Sequence, residues 1–157
     1  NTILNYSDRQ HFAIRDMEIT DLEQVVMIET SVSQSPWSSI QFQQSLNESM
    51  VLVVAGQIIG FSVVAIIGDE AEVHNLAVHP DHQGLGFGSV LLDHIIAHLP
   101  VLVSKMHLEV RTSNFPAIRL YLQRDFVPVG ERLGYYKTEH GREDAMLMSR
   151  PIKATGH

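Results

Sequence analysis

The sequence contains no cysteine, and this absence narrows the chemistry that the chain can perform. Thiol nucleophiles, thiolate metal ligands and disulfide bonds are all excluded. Positive charge is also scarce, since 11 Lys and Arg residues stand against 18 Asp and Glu residues for a net charge of −7. Such an acidic chain is poorly suited to bind nucleic acid or an anionic membrane non-specifically, whereas it could attract a basic peptide.

Long hydrophobic runs are missing as well. The longest apolar stretches, such as residues 58–67, are far shorter than the roughly 20 residues of a membrane-spanning helix. Residues 1–11 mix polar and apolar side chains and lack the apolar centre of a signal peptide. We therefore expect a cytoplasmic protein without a membrane partner, and the lack of cysteine fits a reducing compartment.

The length of 157 residues suits one globular domain, which can bury a hydrophobic core without a structural metal. No internal repeat, low-complexity tract or linker interrupts the sequence. We predict a single domain over residues 1–157, in which residues 1–11 and 153–157 form flexible ends.

Hydrophobic periodicity predicts an α+β fold in which strands outnumber helices. Helical spacing and capping residues predict helices over residues 21–32, from Ser38 or Ser39 to about 46, over 90–99 and over 116–124, with Asn114 as the last cap. Alternating or β-rich runs predict strands over residues 12–16, 51–55, 58–67, 70–78, 102–111, 127–135 and 143–150. Thr20 or Asp21 is expected to cap the first helix. The strands between residues 51 and 78 are expected to form an antiparallel meander in a mixed, mostly antiparallel sheet.

Residues 83–89 form a glycine-rich loop ahead of an amphipathic helix. Glycines allow backbone amides to approach a ligand, and the positive end of a helix dipole attracts anions. The loop therefore predicts a phosphate or pyrophosphate site, with a tight turn that binds no ligand as the alternative. It is not a Walker loop, because no Lys-Ser/Thr pair follows, and Ser89 takes the place of the third glycine of a dinucleotide fingerprint.

The pattern Gln83-x-x-Gly86-x-Gly88 resembles the acetyl-CoA signature of the GNAT acyltransferase superfamily. Residues 107–114, 117–121 and 126 resemble the fifth strand and fourth helix of that fold. Residues 36–38, 135–136 and 141–148 resemble the RimI-type branch, the bacterial ribosomal-protein alanine N-acetyltransferases. The resemblance extends over about residues 14–152 and implies the GNAT fold, with a central sheet flanked by about four helices.

The resemblance implies acetyl-CoA as the cosubstrate and assigns residues to it. Three strand residues match the backbone that binds the pantetheine arm and polarises the thioester carbonyl, seven loop residues match the pyrophosphate site, and one asparagine matches a further contact. They are Leu76, Ala77 and Val78, then Gln83, Gly84, Leu85, Gly86, Phe87, Gly88 and Ser89, and finally Asn114. The loop departs from the branch because Gly84 and Ser89 stand where basic residues are usual. For Asn114, a helix cap is the alternative.

The resemblance also implies direct attack of the amine on the thioester without an acyl-enzyme, which agrees with the absence of cysteine. Glu109 matches the base that deprotonates the ammonium, and Tyr121 matches the acid that protonates the leaving thiolate. The alternatives are structural. Glu109 would be an exposed strand residue paired with Arg111 or His107, and Tyr121 would be a core aromatic beside Phe126.

Trp37, Tyr135 and Tyr136 are the candidate residues for binding the acceptor, because they match the groove that receives it in the family. Ordinary core packing is the alternative for Trp37. His79 and His82 lie beside the glycine loop, but they lack the carboxylate pattern of a metal site. We therefore expect no metal cofactor.

These observations predict an acetyl-CoA-dependent N-acetyltransferase of a protein N-terminal α-amine, specifically the N-terminal alanine of small-subunit ribosomal protein eighteen. Two alternatives are a related enzyme for a small amine, such as a polyamine, an amino acid or an antibiotic, and a non-catalytic acyl-CoA-binding domain. The presence of both Glu109 and Tyr121 argues against the non-catalytic domain, and Trp37 with the paired tyrosines argues against the small amine.

Overall fold

A computed structural model describes residues 11–153 as a sheet with helices packed against it. The strands are β1 (Phe12–Asp16), β2 (Ser49–Val54), β3 (Gln57–Ile67), β4 (Glu70–Val78), β5 (Lys105–Arg111), β6 (Val127–Thr138) and β7 (Gly141–Pro151). The α-helices are α1 (Leu22–Val32), α2 (Ser39–Gln44), α3 (Phe87–Ala97) and α4 (Phe115–Gln123), and short 3-10 turns span Ile19–Asp21, Leu46–Glu48 and Pro80–His82. Of the predicted flexible ends, residues 1–10 and 154–157 lie outside the described residues.

The seven strands follow the order β1-β2-β3-β4-β5-β7-β6 in one sheet. The pairs β1–β2, β2–β3, β5–β7 and β6–β7 are antiparallel, whereas β4–β5 is parallel. This arrangement confirms the predicted α+β class with a mixed, mostly antiparallel sheet, and the described residues contain the four expected α-helices.

The described residues form two compact units. One unit comprises residues 11–63 and 75–95, and the other comprises residues 64–74 and 96–153, so β3 and β4 contribute residues to both. The glycine loop and Trp37 belong to the first unit. Glu109, Tyr121 and the paired tyrosines belong to the second.

In the first unit, alternation along β2 sends neighbouring side chains to opposite faces, and each face carries its own apolar cluster. One cluster includes residues of α1 and α2, and the other includes residues of α3. Their buried members include Val51, Val25, Ile28, Phe42 and Phe61 in the first cluster and Leu52, Ile59, Phe87 and Leu91 in the second. Helices α1 and α2 therefore lie on one face of β2, and α3 lies on the other.

In the second unit, β5 shows the alternation that the sequence predicted. Met106, Leu108 and Val110 are buried, whereas the residues between them are only partly buried. Helix α4 contributes Tyr121 to the interior, and Phe126 follows it there. One face of β5 therefore builds the core and the other presents polar groups.

Two helices begin at predicted caps. The Ser38 hydroxyl accepts a hydrogen bond from the Gln41 amide at 3.3 Å, and the Gln41 side chain accepts one from the Ser38 amide at 2.8 Å. Asn114 Oδ1 accepts a hydrogen bond from the Ala117 amide at 3.3 Å, and Pro116 occupies the first turn of α4. The side chains of Ser38 and Asn114 therefore supply caps, as the sequence indicated.

Several predicted boundaries differ from the structure by a few residues, and one predicted cap is absent. Helix α3 begins at Phe87, so Gly88 and Ser89 are helical residues and not loop residues. Strand β5 begins later than predicted because the chain first turns, with the Val103 amide donating to the Pro100 carbonyl at 3.0 Å. The Asp21 carboxylate precedes α1 but makes no capping hydrogen bond to it.

Asp21 instead forms a bidentate ion pair with Arg15 of β1. Arg15 Nη1 and Nη2 lie 2.7 and 2.9 Å from the two carboxylate oxygens of Asp21, and the Glu18 amide donates to the same group at 2.8 Å. The Asp21 side chain is buried. The hydrogen bond from Arg15 lowers the pKa of Asp21, and this effect outweighs burial, which acts in the opposite direction.

We expect Asp21→Asn to reduce the free energy of unfolding at pH 7 by about 1–3 kcal/mol, because Arg15 loses its charged partner. The folded-state pKa of Asp21 lies below the value of about 3.9 for an unfolded aspartate, so the stabilisation is complete above about pH 5 and is lost as the pH falls through the folded pKa. Urea denaturation at decreasing pH should therefore show the two proteins converging. Asp16→Asn, at an exposed position at the end of β1, is the control. A stability difference that did not change with pH would contradict this account.

Candidate active site

The glycine loop is open to a ligand at the start of α3. Gly84 and Gly86 have φ angles of +77° and +90°, and no neighbouring atom stands within 4 Å of the place that a Cβ would occupy on either. Gln83 fixes the beginning of the loop, because its Nε2 donates to the Val78 carbonyl at 2.9 Å. Backbone amides in this segment can therefore be approached without obstruction by side chains.

The loop is predicted to hold the phosphates of a CoA cosubstrate, and its backbone could do so. Helix α3 spans 11 residues, and the amides of its first turn, which includes Gly88 and Ser89, have no acceptor within the helix. Phe87 is buried and Leu85 is half-buried against the apolar cluster that contains Leu91. These two side chains therefore anchor the loop in the core, and the backbone remains as the part that can contact a ligand.

The predicted pantetheine strand is the end of β4. Ala77 and Val78 are buried and Leu76 is half-buried, so their backbone is the part that a ligand can use. The parallel ladder with β5 runs from Glu70 to Val73 of β4, and the three predicted residues lie beyond it. Their role in binding stays a prediction.

Gly60 on β3 is a residue that sequence reasoning missed. A Cβ at this position would stand 2.9 Å from the Ala77 carbonyl oxygen and 3.2 Å from Leu91 Cδ1. Backbone cannot move aside as the end of a flexible side chain can. Only glycine therefore allows β3 to approach the candidate pantetheine strand this closely.

Glu29 is a buried carboxylate that was also missed. Its Oε2 accepts hydrogen bonds from the Trp37 backbone amide and from Asn75 Nδ2, both at 2.9 Å, and the residue is only 2% exposed. Glu29 thus ties the segment after α1 to the strand that continues into Leu76. The signal was present in the sequence, because Glu29 lies four residues after Val25 on the apolar face of α1.

Trp37 is half-buried and packs against the core of the first unit. Its ring centroid lies 5.2 Å from that of Phe42, which meets Phe61 edge-on at the same distance. The packing alternative therefore accounts for part of the indole. A contact between Trp37 and the acceptor stays a prediction.

Glu109 lies on the polar face of β5, and Arg132 of β6 is its ion partner, with 3.1 Å between Nη2 and Oε1. Arg132 was not among the partners, Arg111 or His107, that the structural alternative named. Arg111 lies 3.8 Å from Glu143, and His107 lies 3.4 Å from a glutamate of β4. These three pairs join residues of different strands, and β7 lies between the strands of Glu109 and Arg132 in the sheet.

Tyr121 is enclosed by the interior of the second unit. Its ring contacts that of Phe126 with centroids 5.5 Å apart, as the core-packing alternative predicted. Burial raises the pKa of Tyr121 to about 12, and Tyr136 adds to the shift. The hydroxyl therefore keeps its proton throughout the physiological pH range. Its role as the acid stays a prediction.

Tyr136 lies in a half-buried group with two charged residues. The Arg111 guanidinium carbon is 4.2 Å from the centre of the Tyr136 ring and pairs with Glu143. The Ser113 amide donates to Glu143 Oε1 at 2.8 Å, and hydrogen bonding from Ser113 lowers the pKa of Glu143. Burial raises the pKa of Tyr136. Arg111 and Glu143 are functional candidates that the sequence reasoning had not assigned to the site.

Tyr136, a predicted acceptor residue, interacts electrostatically with Tyr121, the predicted acid, and with Glu109, the predicted base. Tyr136 contributes to the raised pKa of Tyr121, and Glu109 contributes to the raised pKa of Tyr136. Tyr135 meets Tyr136 edge-on with ring centroids 5.0 Å apart. Asn114 is exposed and acts as a helix cap, while its contact with the cofactor stays a prediction.

The histidines beside the glycine loop pack on each other. The ring centroids of His79 and His82 are 5.7 Å apart, and burial, followed by His79, lowers the pKa of His82. Across residues 11–153, no three His, Asp or Glu side chains are grouped so that they could hold a metal ion. Over the same stretch, every helix is too short or too polar to cross a membrane.

Comparison with known sequences gives a consistent result. A profile of the acetyltransferase (GNAT) family matches residues 13–126. The ribosomal protein bS18-alanine N-acetyltransferase of Escherichia coli is 38% identical over 143 residues, which cover 88% of this chain and 97% of that protein. The enzyme of the same name from Haemophilus influenzae is 37% identical over 141 residues, with 87% and 96% coverage.

Comparison with solved structures agrees. The crystal structure of the ribosomal-protein-S18-alanine N-acetyltransferase from Escherichia coli superposes with a TM-score of 0.84 at 36% identity, covering 94% of this chain and 97% of that one. Arabidopsis thaliana NAA60 in complex with a bisubstrate analogue also reaches 0.84, at 20% identity, with 92% and 100% coverage. The second similarity concerns the fold alone.

We expect Gly86→Val to weaken acetyl-CoA binding by at least about tenfold, because a β-branched residue strains a backbone with positive φ and obstructs the loop amides. Gly68→Val is the matched control. Gly68 also has a positive φ (+63°) and open surroundings, but it lies in the hairpin before β4. Calorimetric titration with acetyl-CoA, supported by thermal melts, compares the two variants. Unchanged affinity in Gly86→Val would remove the loop from the cosubstrate site.

Proposed function

The chain belongs to the GNAT acetyltransferase family and is an acetyl-CoA-dependent N-acetyltransferase, and on that premise we propose that its acceptor is a protein N-terminal α-amine. The specific acceptor that we propose is the N-terminal alanine of ribosomal protein bS18, in the cytoplasm. Sequence relatives support this choice, because the match to the bS18-alanine enzymes extends over nearly their full length. The net charge of −7 also favours a basic peptide.

The observation that carries the proposal is the carboxylate of Glu109, which is partly exposed and already in contact with a cation, Arg132, at 3.1 Å. A carboxylate in this position can bind an ammonium group and accept its proton, directly or through one water. A peptide α-amine has a pKa about 2.5 units below that of a lysine side chain, which makes its deprotonation easier by about 3.5 kcal/mol. We therefore assign Glu109 as the base for an α-amine.

We assign the remaining roles from the burial of Tyr121 and from the backbone of residues 76–78 and 84–89. Acetyl-CoA, when bound, supplies the thioester from which the acetyl group is transferred. Tyr121 holds a proton that its raised pKa retains, and we assign this proton to the leaving sulfur. We assign the phosphates to the amides of residues 84–89, with Gln83 holding the loop and Asn114 adding a contact, and the pantetheine arm to the backbone of residues 76–78.

Trp37, Tyr135 and Tyr136 are the residues that we propose to receive the acceptor peptide. A small-molecule amine is the competing acceptor. A solved chimera of the Vibrio cholerae spermidine N-acetyltransferase and a solved protein named as a putative phosphinothricin N-acetyltransferase each resemble this chain at 20% identity, which supports the common fold only. The relatives that match over nearly their full length are N-acetyltransferases of a ribosomal protein, which favours a peptide acceptor.

An acceptor competition should identify the substrate. We expect mass spectrometry after incubation with acetyl-CoA to show one added acetyl group on the N-terminal amine of a bS18 peptide, and little on spermidine, free amino acids or an aminoglycoside. A peptide of the same sequence with a blocked N-terminus and an added lysine is the control for the site of acetylation. Preferential acetylation of a small amine or of the lysine would contradict the proposal.

We expect Tyr121→Phe to lower kcat by about 10²-fold, because a positioned acid contributes this much and phenylalanine lacks the proton. Acetyl-CoA affinity and the melting temperature should change little, since the Phe ring fills the same buried space beside Phe126. Steady-state kinetics at saturating substrates, together with calorimetry, separates these effects. A kcat close to that of the wild type would assign Tyr121 to packing alone.

A further inference from the structure

We infer that Arg132 is a displaceable counterion of Glu109, whose guanidinium holds the place that the ammonium of the acceptor takes during the reaction. The inference rests on the proposed function, in which Glu109 is the base for an α-amine. It assigns Arg132 a role in acceptor affinity that the sequence did not indicate.

The contact between Arg132 and Glu109 is close but exposed. Nη2 lies 3.1 Å from Oε1, while the side chain of Arg132 is 57% exposed and that of Glu109 is 23% exposed. The guanidinium carbon also lies 5.0 Å from the centre of the Tyr135 ring, which leaves the arginine lying against an aromatic face. One carboxylate and one ring thus define the resting position of the cation.

The backbone sets this position through an irregularity in β6. The register with β7 shifts between Arg132 and Tyr136, and Gly134 has a φ of +61° within the shift. The Gly134 amide donates to Asp144 Oδ1 at 2.8 Å, and Arg142 Nη1 donates to the Gly134 carbonyl at 3.0 Å. Bulges of this kind re-aim the side chains beside them. In β6, Arg132 directly precedes the bulge and Tyr136 directly follows it.

A second arginine in the same unit, Arg111, belongs to a more shielded ion pair, with 3.8 Å between its Nη1 and Glu143 Oε2. The side chains of Arg111 and Glu143 are 14% and 16% exposed, and the guanidinium of Arg111 lies over the half-buried Tyr136. An exposed ion pair such as Arg132–Glu109 contributes only about 0.2–1 kcal/mol, so a competing cation can replace it at little cost. An α-ammonium carries the same charge and, unlike a guanidinium, can give up a proton at neutral pH.

If the acceptor displaces Arg132 from Glu109, the kinetics of Arg132 variants differ from those expected if Arg132 positions Glu109 or binds the acceptor. If Arg132 competes with the acceptor, its removal should tighten acceptor binding. If Arg132 held Glu109 in its working position, its removal would lower kcat. If it bound the acceptor directly, its removal would raise the KM for the acceptor.

The test measures kcat and KM for the bS18 N-terminal peptide at saturating acetyl-CoA in the wild type, Arg132→Met and Arg132→Lys. Methionine keeps an apolar chain against Tyr135 without the charge, and Arg132→Gln serves as a second neutral variant. We expect both neutral variants to lower the peptide KM about two- to fivefold without lowering kcat, which matches the value of an exposed ion pair. Arg132→Lys should retain the wild-type KM.

Lys137→Met is the matched control, since it removes one positive charge from an exposed position on the same strand, and its KM should remain that of the wild type. A raised KM, a lowered kcat or unchanged kinetics in the neutral variants would each overturn the inference. An equal fall in KM in the control would also overturn it, because net charge alone would then explain the effect. Failure of the wild type to acetylate the peptide would instead refute the proposed function, and the inference with it.

Discussion

The buried carboxylate of Glu29 is the constraint on which the candidate site of the first unit depends. A buried charge is costly unless it is hydrogen-bonded, and here one oxygen accepts from both the Trp37 amide and Asn75 Nδ2 at 2.9 Å. The carboxylate comes from α1, whereas its donors come from the following segment and from β4. The Glu29 side chain therefore binds both Trp37, a predicted acceptor residue, and Asn75, which directly precedes the predicted pantetheine residues 76–78.

In the second unit, two sets of arginine, tyrosine and glutamate repeat one chemistry at different depths. Arg111, Tyr136 and Glu143 are mostly shielded, and Ser113 completes the hydrogen bonding of the glutamate. Arg132 combines with Tyr135 and Glu109 where solvent reaches all three. Shielding strengthens an ion pair and makes it hard to exchange, whereas exposure weakens it. The same residue types thus form a shielded group in one place and an exposed group in the other.

Most of the fold could be predicted from the sequence because its signals are local. The strand over residues 12–16, the alternation along β5 and the cap at Asn114 depend on neighbours within a few residues, and the structure confirms them. The ion partner of Glu109 depends on the register of β6 and on a bulge, which no local pattern encodes. Gly60 was missed for the same reason, since its need for glycine arises from a carbonyl on another strand. The roles of the glycine loop and of Tyr121 stay predictions.

In the second unit, the partial exposure of Glu109 and the burial of Tyr121 suit the proposed direction of proton transfer. Alternation along β5 buries Leu108 and Val110 and turns Glu109 to the polar face, while α4 directs Tyr121 into the interior. A base must release its captured proton to water before the next cycle, so partial exposure suits Glu109. An acid must carry its proton until the sulfur leaves, and Tyr121, whose pKa burial raises to about 12, is protonated at neutral pH. If Glu109 is the base and Tyr121 the acid, as we propose, the packing that builds the core gives each the exposure that its role requires.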